Sequence, residues 1–115
     1  MAVIQKFKNM EVGQIAISSI SVSELQHGVS KSKYREQNSK RLEEFLTPFQ
    51  ILPYDEQASQ FYGGIRSQIE NQGDIIGPLD LLIAAHALSR NLTLFTNNEK
   101  EFKRVPTLRI ENWAN

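Results

Sequence analysis

The segment Gly77-Pro78-Leu79-Asp80-Leu81-Leu82-Ile83-Ala84-Ala85-His86-Ala87-Leu88 is the longest apolar stretch in the chain, and any fold must bury it. Proline suits a first helical position because its missing N–H would be unpaired there anyway. Leu81, Ala84, Ala85 and Leu88 recur at helical spacing, so a buried helix is expected. Its one acid, Asp80, falls in the first turn, where exposed N–H groups and the helix dipole favour negative charge. That alone accounts for an acid at this position. Two other stretches, Ser21-Val22-Ser23-Glu24 and Thr96-Asn97-Asn98-Glu99, also place acids at expected helix starts after strand-like runs. Helix N-termini that follow parallel strands gather along one sheet edge, so acids distant in sequence can meet there.

The remaining elements follow from spacing. Val3, Phe7 and Met10 recur at three- and four-residue intervals, which predicts the tail of an amphipathic helix closed by Gly13. Gln14 to Ser18 reads as a buried strand. Ser21 and Glu24 have the spacing of a capping box opening a helix that stops near His27-Gly28. Charge-rich residues from Ser32 to Leu46 form a long exposed helix ended by Pro48. Phe49 to Pro53 is a strand whose proline favours an edge. Asp55 then caps a helix burying Ala58, Phe61, Tyr62, Ile65 and Ile69. Asn91 is a left-handed stop before the strand Leu92 to Thr96, followed by a short helix from Glu99 to Phe102. A small strand at Leu108-Arg109-Ile110 comes last, with Trp113 packing back. The order is that of an α/β domain with a mainly parallel sheet.

Composition narrows the chemistry. A formal net charge of zero argues against a broad electrostatic footprint for nucleic acid, although Lys31, Lys33, Arg35, Lys40 and Arg41 could form a local strip. The ordinary reading of that strip is a solvated helix face. The absence of cysteine excludes disulfides and thiolate metal sites. No signal peptide or membrane span is apparent, which makes the cytoplasm the default location. His27 and His86 do not make a metal pair, no glycine-rich phosphate loop is present, and no serine sits in a nucleophile elbow.

The acids remain. Singly, each has a structural explanation: Glu24 completes one capping box, Thr96 and Glu99 another, and Asp80 complements a dipole, at about 1 kcal/mol per cap. Together they would repel one another in a confined site unless a cation neutralised them. Hard oxygen ligands without a His or Cys cluster point to magnesium or manganese, an ion that can activate water against a phosphodiester.

The stretches Ile17 to Gly28, Ile76 to Ala87 and Thr96 to Pro106, with the closing Glu111-Asn112-Trp113, resemble the PIN-domain ribonucleases, specifically VapC-type toxins of bacterial toxin–antitoxin modules. The resemblance runs from about Gln5 to the chain end. It implies a three-layer α/β fold, a magnesium- or manganese-dependent ribonuclease, a protein antitoxin lying over the acidic site, and a homodimer. It puts Glu24 and Asp80 on the family's second and third acidic positions, both as metal ligands, and leaves the fourth between Asn98 and Glu101. The family normally begins with a central strand carrying an aspartate ligand, and this sequence has no acid before Glu11. The expectation is therefore a single PIN-like domain, N-terminally truncated, whose flanking strands close on each other or recruit a strand from elsewhere. Weak metal binding and little nuclease activity would follow, the extreme being a catalytically defective module that binds an antitoxin or self-associates.

Overall fold

The computed structural model describes residues 2–7, 15–96 and 98–112, with the side chains of 2–7 and 15 outside the description. The expected Gly13 stop, Asn97 and Trp113 lie outside these residues. The apolar segment forms the buried helix the spacing predicts, α4 (Pro78–Ser89), with proline at its start and Leu81, Ile83, Ala84, Ala85, His86 and Ala87 all buried. A helix apolar on nearly every side belongs in an interior, and its alanines permit close approach. It packs chiefly on α3 (Glu56–Asn71). There Asp55 caps as predicted, its Oδ1 accepting from Ala58 N–H at 3.0 Å. Ala58, Ile65 and Ile69 are buried on α3, whereas Phe61 remains 39% exposed. Asn91 takes the left-handed conformation expected of the stop, with φ of 55°.

Five strands form one sheet: β1 (Ala2–Phe7), β2 (Ile15–Ser18), β3 (Gln50–Leu52), β4 (Leu92–Thr96) and β5 (Ile110–Glu111), in the order β3-β2-β1-β4-β5. The outer pairs, β2 with β3 and β4 with β5, are parallel, and β3 takes the edge its proline indicates. Between them lies β1, antiparallel to both neighbours, with Gln5 opposite Ala16 on one side and Leu94 on the other.

This corrects two expectations at the N-terminus. Residues 2–7 are a strand and not a helix tail, and the central position expected to be open is filled by the chain itself. The reason is tertiary: strands on either side of an open position present rows of unpaired N–H and C=O groups. Pairing on both sides outweighs a weak helical spacing in a segment containing β-branched Val3 and Ile4. What β1 does not supply is an acid.

The capping boxes are the second correction. The N-cap of helix α1 (Ser19–Ser30) lies three residues before the expected one: it is Ser18, with Oγ accepting from Ile20 N–H at 3.1 Å. Ser18 also shares a 2.7 Å hydrogen bond with Nδ1 of His86, which is fully buried. That bond ties the start of α1 to the middle of α4. Burial lowers the His86 pKa, so the ring joins the core as a neutral group. Thr96 Oγ1 accepts from Asn98 N–H at 2.9 Å, so Thr96 closes a turn and does not pair with Glu99 in a box. Two helices complete the chain, the exposed α2 (Arg35–Leu46) and the single-turn α5 (Glu99–Phe102), which is pinned by fully buried Phe102. No helix among the described residues is long and apolar enough to cross a membrane.

Candidate active site

Because Ser18 caps α1, Glu24 is not used in capping and stands one turn further along the helix. It is half-buried, and its Oε1 is shielded from solvent without a hydrogen-bond partner. A shielded carboxylate oxygen with nothing to accept from is costly unless something else satisfies it.

Asp80 sits in the first turn of α4 as expected, but the dipole does not dominate it. Burial pushes its carboxyl up to about 6, helped by a hydrogen bond with Glu101 and by the negative charges of Glu101 and Glu24. Glu101, on α5, is shifted the opposite way. Its Oε1 accepts from the Gly77 N–H at 2.6 Å, and this bond is the main reason its carboxyl is held below the usual range. Its Oε2 accepts from Asn98 Nδ2 at 2.8 Å, a second contribution, with Arg104 adding favourable charge. Below about pH 6 these two neighbouring carboxyls with opposed shifts share one proton, held mainly on Asp80.

The two candidates for the fourth position therefore act as one unit, the Asn98 amide holding the Glu101 carboxylate. This also explains why Asn98, the residue preceding α5, makes no capping bond with its side chain. Sequence reasoning missed Gly77. A Cβ there would stand 3.4 Å from Glu101 Oε1 and 3.9 Å from Asp80 Oδ2. A side chain there would be in van der Waals contact with the two carboxyls beside the backbone N–H that holds Glu101. The signal was the Gly-Pro pair, with an unblocked N–H just ahead of a proline-started helix.

Among the described residues, no three His, Cys, Asp or Glu side chains converge closely enough to hold one ion as they stand. The donor set still fits a hard divalent cation. It offers only oxygens, Asp80 is pushed toward protonation first by burial and then by the neighbouring Glu101 and Glu24 carboxyls, and Glu24 Oε1 lacks a partner. Closing on an ion would exchange the Asp80–Glu101 hydrogen bond for metal–oxygen contacts.

The raised Asp80 pKa carries a stability prediction. Below its ordinary 3.8 the carboxyl is protonated in both folded and unfolded chains and costs nothing. Between 3.8 and about 6 the unfolded chain loses the proton while the folded chain keeps it, so stability falls; above about 6 the full penalty stands. That gap caps the penalty near 3 kcal/mol, and solvent screening of a half-exposed group reduces it to about 1 kcal/mol. Asp80→Asn is accordingly expected to stabilise the metal-free protein by about 1 kcal/mol above pH 6 and to lose that advantage toward pH 3.5. Urea denaturation across this range checks it. An equal effect at both ends would show that the shift is not the cause.

A PIN-domain profile matches residues 2–108. The chain belongs to the PIN-domain family. Within the family it is of the VapC type: it is 50% identical to ribonuclease VapC2 of Rickettsia felis over 93% of this chain and 83% of that protein. It is 42% identical to the tRNA(fMet)-specific endonuclease VapC of Salmonella typhimurium, over 92% of this chain and 80% of that one. Solved structures agree. The PIN domain here superposes with a TM-score of 0.83 on VapBC2 from Rickettsia felis bound to a DNA fragment from their promoter, at 53% identity over 85% of this chain and 74% of that one. For VapBC-1 from nontypeable Haemophilus influenzae the TM-score is 0.86 at 33% identity, over 94% of this chain and 81% of that one.

Proposed function

We propose that this chain is the toxin of a toxin–antitoxin pair: a metal-dependent endoribonuclease, acting in the cytoplasm as one homodimer-forming PIN domain and silenced by a cognate antitoxin. Its relatives are named ribonucleases, one of them a tRNA(fMet)-specific endonuclease. The similar structures are VapBC assemblies. The observation that carries the reading is the hydrogen-bonded Asp80–Glu101 pair from two separate helices, with Glu24 on a third helix near enough to act on Asp80 by its charge and one shielded Glu24 oxygen left unpartnered.

In this reading Asp80 and Glu24 are the metal ligands, and Glu101, oriented by Asn98 and the Gly77 N–H, completes the acidic site. Magnesium or manganese suits the all-oxygen set. A divalent ion bound there would polarise water for attack on a phosphodiester and offset the charge that builds up on phosphorus oxygens. The protein's own part is positional. Gly77 and Asn98 hold Glu101 ionised, Asp80 must release its proton before it can ligate, and Glu24 keeps an oxygen free. With no acid on β1, the ligand set comes from helices alone, and metal binding is expected to be weak. The defective-module alternative is not favoured, since close relatives carry ribonuclease names over most of this chain.

The test is cleavage of a mixed RNA pool by the purified protein with magnesium or manganese, with and without chelator. Cleavage that depends on the metal and spares single-stranded DNA of the same sequence is expected. Metal-independent cleavage, or none at any metal concentration, would overturn the reading.

A further inference from the structure

An acidic site is a poor landing place for a polyanion, and a chain with zero net charge offers no general attraction to compensate. Cations must therefore stand close to the acids. A shallow depression bounded by Ile75, Gly77, Asn98, Lys100, Glu101 and Arg104 opens directly onto the site, sharing Asn98 and Glu101 with it. Arg104 is exposed but fixed, its Nη1 donating to the Ile75 carbonyl at 2.6 Å. That bond uses one guanidinium N–H and leaves the rest of the fork directed elsewhere. Among the described residues neither Arg104 nor Lys100 forms an ion pair, so both charges remain available. Ile75, 81% exposed, is the barest large apolar side chain among these residues, and the Arg104 bond holds its backbone beside the guanidinium. Two exposed cations outside any ion pair and an exposed apolar side chain on a held backbone, beside a phosphodiester-cleaving centre, match the alternation of phosphate and base along a single strand.

Resting on the ribonuclease reading, we propose that Lys100, Arg104 and Ile75 seat the single-stranded RNA next to the scissile phosphate, the two cations on flanking phosphates and Ile75 against a base. Arg104 matches a phosphate with its planar fork, whereas Lys100 acts as a point charge. The basic strip in the turn after α1 and along α2 has no such relation to the acids: Lys31, Lys33, Arg35, Lys40 and Arg41 are exposed, and none lines this depression.

The test uses a short single-stranded RNA kept intact by withholding divalent metal with a chelator, its binding followed by fluorescence anisotropy over a salt series. Lys100→Gln with Arg104→Gln is expected to weaken binding by about tenfold or more and to reduce the slope of log Kd against log salt by about 1.4, the value for two single-strand phosphate contacts. Ile75→Ala should weaken binding without changing that slope. Lys40→Gln with Arg41→Gln should leave both unchanged, and manganese affinity should be the same in this pair and in Ile75→Ala as in the parent. Arg104→Lys keeps the charge and controls for folding: the slope stays, while affinity falls through loss of the fork. An unchanged slope in the first pair, or an equal loss from the α2 pair, overturns the proposal. RNA held by these residues but never cleaved would sink the ribonuclease reading alone; metal-dependent cleavage with binding indifferent to them would sink the seat alone.

Discussion

Asp80→Ala is expected to reduce metal-dependent RNA cleavage by more than about a hundredfold, since even residues behind a metal ligand cost ten- to hundredfold when removed. Asp80 is the carboxyl that interacts with both of the others, its protonated form donating a hydrogen bond to the Glu101 carboxylate and its ionised form opposed by the charge of Glu24. Removing it separates those acids from any shared ion. The same substitution removes the source of the pH-dependent penalty, so the variant should fold at least as well as the parent and the lost activity cannot be blamed on unfolding. Circular dichroism with a urea titration, run beside the cleavage assay, checks both halves. Sites assembled from like charges are commonly less stable than their neutral variants.

Phe102→Ala is expected to cost about 3–5 kcal/mol, the usual range for removing a large buried aromatic side chain. Phe102 is fully buried and belongs to the main apolar cluster with Leu81, Ile76 and Val105. The consequence reaches the site, because α5 spans only Glu99–Phe102 and a helix so short cannot persist without tertiary contacts. Loss of the anchor releases Glu101 from the Gly77 N–H and the Asn98 amide, so activity should fall even at temperatures where the variant remains folded. Phe102→Leu, which retains much of the apolar volume, should lose less of both. Full activity in folded Phe102→Ala would show that Glu101 does not need α5 to hold it.

The legible parts of this fold are those set by neighbours in sequence. Asp55 as a cap, Pro78 opening α4 and Asn91 as a left-handed stop all depend on a few adjacent residues, and each stands where its chemistry indicates. The N-terminal strand was illegible because its cause lies in two distant strand edges, not in the segment itself. The cap of α1 was misjudged because Ser18, Ser19 and Ser21 are chemically equivalent choices, and the 2.7 Å bond to His86, 68 residues away, accompanies the one used.

For the candidate site, sequence supplied the acids but not their coupling. Glu24, Asp80 and Glu101 were candidates from the start, and Asn98 and Glu101 stood as alternatives because one-dimensional spacing cannot reveal that one holds the other. A helix-start acid such as Asp80 reads locally as favourable; burial in the fold, with Glu101 and Glu24 brought near it, makes it an acid with a raised pKa. Arg104 was invisible as a functional residue because its bond to the Ile75 carbonyl spans 29 residues.

The most direct measurement is a manganese titration by calorimetry, performed near pH 7.5 on the parent, Asp80→Ala and Glu24→Gln, with RNA cleavage followed in the same samples. The account predicts one weak ion bound by the parent, no measurable binding in Asp80→Ala, weakened binding in Glu24→Gln, and cleavage that falls in step. Manganese bound equally by all three, or cleavage that persists in Asp80→Ala, would contradict the claim that these acids form the metal site of a ribonuclease.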